Sequence, residues 1–298
     1  METTAPMQDE AVHERLAERA ADTSGGQEKV AIAVRGRRQA SLLRIRGELG
    51  LGWKIGLGAL GVVAFLSVWA VKAAMMHKKS VLPTPAATWS ALLDLKSAGI
   101  LTTDLWASLQ RVLIGYSISV VIGVVVGIAI GTFASVEAFF EAQIGFLRYI
   151  PATALTPVFL LLLGLDEAPK IWLIIVGTVF YNILMTADVA RAVPRELLNA
   201  SYTLGAGRIT VLRRVILRHS APGIIDVARI NLAAAWLMLV VAEILAAKQG
   251  LAYQVVRAQR FRAVDKMFAI LLVFGLIGLA SDVALRWLRN LSSPWARP

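Results

Sequence analysis

Six stretches of this chain carry little or no charge, and most are long enough to cross a lipid bilayer. Seventeen uncharged residues separate Lys54 from Lys72, and 25 separate Arg111 from Glu137. Arg148 to Asp166 and Lys170 to Asp188 each bracket 17. Arg229 to Glu243 brackets 13, continued by Ile244–Ala247, and Lys266 to Asp282 brackets 15. A spanning helix needs roughly 20 mostly apolar residues, and inside lipid it must satisfy its own backbone hydrogen bonds. With edge residues added, these stretches predict spans at about 53–74, 110–132, 143–163, 169–187, 224–245 and 267–287. The expected fold is therefore all-α: a polytopic membrane protein with six transmembrane helices.

Composition narrows the class further. The 298 residues are 57% hydrophobic with a mean hydropathy of +0.65, against roughly 45–50% apolar for soluble domains. The net charge of +11 alone would suit a nucleic-acid binder, but such a protein would not be this apolar. No nucleic acid is expected as a partner; the lipid bilayer is. There is no cysteine, which excludes disulfides, thiolate metal sites and thiol nucleophiles. His13, His77 and His219 have no metal-ligand spacing, and no catalytic constellation is visible.

The chain reads as two parts. Residues 1–50 form a polar, disordered tail, acidic over 1–28 and basic over 29–54, suited to a plain solvated extension or to a regulatory or lipid-contacting role. Residues 51–298 form the membrane domain. Eighteen Lys and Arg fall in the N-terminal stretch, the loop 188–223 and the C-terminus, against eight in loops 75–109 and 246–266. The excess of base marks the cytoplasmic side, so both termini and loop 188–223 are expected there. Loop 133–142 fits this poorly, with two Glu and no base.

Gly123, Gly127 and Gly131 recur every fourth residue, placing a stripe of small residues on one helix face for close helix packing. Pro151 and Pro157 each remove a backbone donor within the third span, so that span is expected to be kinked or broken.

The long loop 188–223 is patterned. Pro194 and Glu196 suit a helix start. Residues 199–207 (NASYTLGAG) run into Gly205 and Gly207. Ile209, Leu212, Val215 and Ile216 then share one helical face, with Arg208, Arg213, Arg214 and Arg218 mostly off it. Pro222 is expected to stop this helix. Two short helices with a glycine bend make a protruding elbow, suited either to an anionic lipid surface or to a docking partner.

The elbow resembles the cytoplasmic signature loop of permeases of ATP-binding cassette (ABC) importers, in which Glu-Ala-Ala-x-x-x-Gly is followed nine residues on by Ile-x-Leu-Pro. Here Asn199-Ala200-Ser201 precedes Gly205, and Val215-Ile216-Leu217-Arg218 follows. Asn199 stands for the usual Glu and Arg218 for the usual Pro; Ser201 for Ala and Val215 for Ile are milder changes. Further segments extend the resemblance over about 80–295: LPTP (82–85), SLQRVLIGY (108–116), RYIP (148–151), LGLDEAPKI (163–171), AEILAAKQGLAY (242–253) and SSPW (292–295). Together they are similar to the permeases of nitrate, sulfonate, taurine and bicarbonate importers.

The resemblance implies the type I importer permease fold, with a cytoplasmic coupling helix and a bacterial inner-membrane location. It implies a non-catalytic subunit, since the chain has no G-x-x-x-x-G-K-[ST] phosphate loop. ATP and Mg would be held by a partner ABC ATPase, and no cofactor or metal by this chain. An extracytoplasmic substrate-binding protein would deliver a small anion. A second permease copy, most simply an identical one, would complete the pathway. The coupling residues carried over are Asn199, Ala200, Ser201, Leu204, Gly205, Ala206 and Arg208. Arg257, Arg260 and Arg262 would suit an acidic binding protein outside.

Charged and polar residues inside spans are candidates for the pathway. Arg148 could attract an anion or snorkel to headgroups. Glu243 could gate, or pair with a base such as Lys248. Thr156, Tyr181 and Asn182 could line a cavity or pack between helices. Asp226 and Arg229, three apart, could neutralise each other. A secondary transporter working without an ATPase is the alternative, and a membrane-anchored scaffold a third reading. Against the former, no inverted repeat is visible and the elbow would have no task.

Overall fold

The computed structural model describes residues 49–76 and 81–294. The expected tail, His13, His77 and the end of the SSPW segment lie outside the described residues. The chain divides into two compact units, residues 1–67 and 68–298. In the first, residues 51–67 are helical and exposed, and open helix α1 (Leu51–Met75). Everything below concerns the second unit.

Its helices are α2 (Pro85–Ser97), α3 (Ile100–Thr132), α4 (Ala134–Leu147), α5 (Thr156–Leu163), α6 (Glu167–Arg191), α7 (Arg195–Thr203), α8 (Arg208–Ala246), α9 (Leu251–Arg260) and α10 (Val264–Ser292). Helix α2 starts where its sequence says it should: Pro85 occupies the first turn and Thr84 Oγ1 accepts from the Ala87 amide at 3.2 Å. No strand occurs among the described residues. Helices α1, α3, α6, α8 and α10 are each long and apolar enough to cross a membrane. The pair α4 and α5, bent by 78°, is a candidate for a sixth span. The bend falls at Arg148–Pro151, and a 3₁₀ turn at Ala152–Leu155 leads into α5, with Pro157 in its first turn.

Whether that pair crosses or turns back follows from the helices around it. A Cβ added to Gly115, Gly123, Gly127 or Gly131 of α3 would meet Ile174, Asn182, Thr186 or Ala190 of α6, at 3.0, 2.5, 2.7 and 2.6 Å. Each pair is separated by 59 positions, so α3 and α6 run parallel. Two parallel helices place the end of one and the start of the next on opposite faces. Residues 133–166 must therefore carry the chain across, and the bent pair is a span. By the same test α8 runs antiparallel to α6, with Asn231 on Asn182 and Met238 against Gly177. Helix α10 runs antiparallel to α8, with Arg289 on Asp226 and Phe274 against Trp236. Among the described residues six spans result, α1 included, and the second unit has an elbow face, carrying α7, and an opposite face, carrying α9.

Three details depart from the sequence reading. Helix α3 begins at Ile100 rather than near 110, so its 33 residues reach about 50 Å. Helix α8 runs unbroken for 39 residues. Pro222 lies inside it and does not stop it, because packing against α6 and α10 compensates for one lost donor. A turn of π-helix at Leu212–Ile216 inserts a residue and rotates the face that follows. The elbow is therefore packed through Val211 and Ile216, five apart and buried, while Ile209 is 70% exposed.

The α3–α6 seam generates a prediction. Gly127→Leu would drive a side chain into the Ile183 carbonyl and Thr186. It should lower stability by about 1–3 kcal/mol, read as earlier thermal unfolding of the detergent-solubilised protein. Gly145→Leu, where nothing lies within 4 Å, should leave the transition unmoved.

Candidate functional site

The elbow brings all seven expected coupling residues together. Helix α7 ends in a closed turn. The Ala206 amide donates to the Ser201 carbonyl (3.0 Å) and the Gly205 amide to the Tyr202 carbonyl (2.9 Å). Gly205 sits between them in the left-handed region at φ +78°. This double bond closes the last carbonyls of a helix and requires a residue that tolerates positive φ. Ser201 Oγ donates to the Leu197 carbonyl at 2.7 Å. Leu198 and Ala206 pack inward on Val193, Val211 and Ile216, which anchors the elbow to the bundle. Asn199, Ala200 and Arg208 stay exposed.

Sequence reasoning placed Leu204 at this contact but missed Tyr202 and Ile209 beside it in the chain. Leu204 is 87% exposed, Ile209 70% and Tyr202 51%, an apolar knob beside exposed Arg195 and Arg208. Projecting from the end of the bundle, such a knob suits a protein groove. On the same face Arg191 donates to Glu137 of α4 at 2.6 Å and to Asp188 at 2.9 Å. One of the two acids of loop 133–142, anomalous in the charge count, is thus paired with a base of loop 188–223.

The five expected pathway residues form no single site. Arg148 is exposed at the α4–α5 bend, its guanidinium 4.8 Å from the Tyr149 ring centroid. Tyr181 is half exposed on α6. Thr156 is buried, its hydroxyl donating to the Thr153 carbonyl at 2.7 Å. Asn182 is buried in a neutral chain: its Nδ2 and the Thr178 hydroxyl both reach Ser119 Oγ (2.9 and 2.7 Å), and its Oδ1 accepts from Asn231 (2.8 Å). Every group there has a partner, which makes it packing between α3, α6 and α8.

Glu243 is fully buried, so it is no exposed gate, and its partner is not Lys248. It accepts from Arg111 Nη1 at 2.8 Å and from the Ser108 hydroxyl at 2.6 Å. Arg111, 3% exposed, also donates to Glu167 at 2.5 and 2.9 Å, and Lys170 donates to Glu167 at 2.8 Å. A buried ion must be paired and hydrogen-bonded, and here α3 supplies the cation while α6 and α8 supply the anions. Asp226 and Arg229 do pair, at 3.5 Å, but each also bonds α10: Arg229 to Asp282 and Arg289 to Asp226, both at 3.0 Å.

The chain also matches a known family. Residues 119–294 match the model of the binding-protein-dependent transport system inner membrane component. The "Probable ABC transporter permease protein" of Brucella melitensis biotype 1 is 34% identical over 202 residues, 68% of this chain and 82% of that protein. The taurine transport system permease protein TauC of Escherichia coli K12 is 30% identical over 260 residues, 85% of this chain and 94% of TauC. Among solved structures, an inward-facing MetNI methionine ABC transporter superposes with a TM-score of 0.59 at 20% identity, over 66% of this chain and 98% of that one. The fold is that of the type I ABC importer permeases. The chain belongs to the binding-protein-dependent transport system inner membrane component family, and is a multi-pass membrane permease subunit of an ABC transporter.

Arg111→Ala should leave Glu243 buried without its cation and cost about 3–5 kcal/mol, read by thermal unfolding. The double replacement Arg111→Met with Glu243→Met removes both charges but orphans the Ala252 amide, so it should recover only part of that loss.

Proposed function

We propose that this chain forms the membrane pathway of an importer for a small anion of the sulfonate type, driven by a separate ATPase docked on the elbow. The observation that carries the reading is the elbow itself: an exposed apolar knob flanked by arginines, rigidly backed by Val211 and Ile216. An ATPase that closes on ATP needs such a handle, because only a stiff contact moves spans. The departures at Asn199 and Arg218 leave the Gly205 turn intact. The likeness to TauC supports taurine or a related sulfonate as substrate, with nitrate and bicarbonate the other anions of the resembling branch.

The elbow face is cytoplasmic on this reading, together with both chain termini. Three basic segments support it, and the Glu137–Arg191 pair accounts for one of the two acids of loop 133–142. The α9 face is then extracytoplasmic, and its exposed Arg257, Arg260 and Arg262 offer a basic surface to an acidic binding protein. Two permease copies, most simply identical, sit over two ATPases, which hold the ATP and Mg. This chain contributes no catalytic group.

Uptake in proteoliposomes with the ATPase and binding protein tests the substrate: taurine or an alkanesulfonate should be carried, and transport without ATP would refute the ATPase-driven reading. Gly205→Ala forces a side chain into the left-handed region at about 1–2 kcal/mol, and β-branched Gly205→Val should cost more. Uptake should fall in that order while span insertion is unchanged. Reversing Arg257, Arg260 and Arg262 to Glu should slow binding-protein association at least about tenfold at low salt, measured by surface-immobilised binding kinetics.

A further inference from the structure

The N-terminus of α9 is held from outside α9. The Gly250 amide donates to Asp104 Oδ1 at 2.7 Å, the Leu251 amide to Ser108 Oγ at 2.8 Å, and the Ala252 amide to Glu243 Oε2 at 2.8 Å. The first amides of a helix have no acceptor within it, and here three consecutive ones are taken by side chains of α3 and α8. Arg111 closes the ring, donating to the Gln249 carbonyl and to Glu243, both at 2.8 Å. Asp104, Ser108, Arg111 and Glu243 are 4%, 0%, 3% and 0% exposed. The three amide bonds are buried, which keeps water from replacing them.

Gly250 is fitted to the same clasp. Its φ of +133° is a glycine conformation, and a Cβ there would overlap the Glu243 carboxyl group. Backbone and carboxylate are therefore in contact, with no slack between the end of α8 and the start of α9. Glu243 stands 35 residues from Arg208, the first residue of α8 at the elbow, about 50 Å along one helix. One helix thus has the elbow at one end and the α9 clasp at the other.

We infer that Glu243 is a positioning residue that makes α9 an extension of α8, so that displacement of the elbow is delivered to the basic surface of α9. The inference rests on the elbow being the ATPase contact. Glu243 acts through the α9 backbone, accepting from the Ala252 amide.

The absence of native cysteine allows a direct test. A single environment-sensitive fluorophore is placed at Gln259→Cys on exposed α9, or at Thr210→Cys on the elbow. The labelled permease is assembled with its ATPase in lipid nanodiscs and read with and without a non-hydrolysable ATP analogue and Mg. Both labels should respond in the otherwise wild-type chain. Glu243→Gln keeps the shape but loses the charge and opposes a donor to the clasp; Gly250→Ala displaces the carboxyl group without removing a charge. Each should cut the Gln259 response at least about fivefold, leave the Thr210 response intact, and release hydrogen-exchange protection of residues 250–252. A Gln259 response that survives both variants after that protection is lost would overturn the inference, as would protection that persists in both. So would a wild-type response at Thr210 with none at Gln259, or loss of both responses together in the variants. A wild-type chain in which Thr210 itself does not respond would instead refute the elbow as the ATPase contact.

Discussion

The close approach of α3 and α6 sets the rest of the architecture. Four glycines on α3 let side chains and carbonyls of α6 come where a Cβ would stand. In lipid there is no hydrophobic drive between apolar helices, so this backbone-to-backbone contact is a main source of cohesion. Because the contact keeps one register along its length, it also fixes the two helices parallel. Parallel α3 and α6 oblige residues 133–166 to recross the membrane, although neither α4 nor α5 is long enough alone. The bent pair is a span by the demands of its neighbours, not by its own length.

Polar groups inside the bundle follow from the same absence of water. Ser119, Thr178, Asn182 and Asn231 satisfy one another, and Tyr116 donates its hydroxyl to the Ala228 carbonyl. The charged cluster does likewise through Arg111. A group already saturated by protein has nothing left for a passing anion. These residues join helices, and the elbow presents the opposite case, with large apolar side chains left uncovered at the end of the bundle.

Charge-free length made the spans legible in the sequence, and the Gly–x₃–Gly stripe pointed to the helix face that α6 occupies. Gly205 pointed to the closed turn of the elbow. Glu243 was misread because its partner lies 132 positions away; Arg111 was visible as the bound of an apolar run and within SLQRVLIGY (108–116), with nothing to tie it to Glu243. The early start of α3 puts Arg111 well inside the helix, and helix ends are what hydropathy locates worst. Ile209 was misplaced for a different reason. A π-turn leaves no mark in a helical periodicity that assumes 3.6 residues per turn, and across it Val211, five residues before Ile216, shares the packed face while Ile209 does not. Pro222 is an ordinary stop signal in isolation, overridden here by tertiary packing on both sides.

The two faces of the bundle are held by different kinds of bond. On the elbow face, Asp226, Arg229, Asp282 and Arg289 are each 27–33% exposed, and Arg191 is 38% exposed. They are less completely enclosed than the clasp, so exchanging partners there costs less than breaking a fully buried pair. On the α9 face the clasp is dry, and opening it strands a buried charge. Helices α8 and α10 can therefore slide or part at the elbow end while α3, α8 and α9 stay joined at the other. A bundle built this way lets α8 shift against α10 while α9 stays joined to α8, so a push at the elbow carries α9 with it.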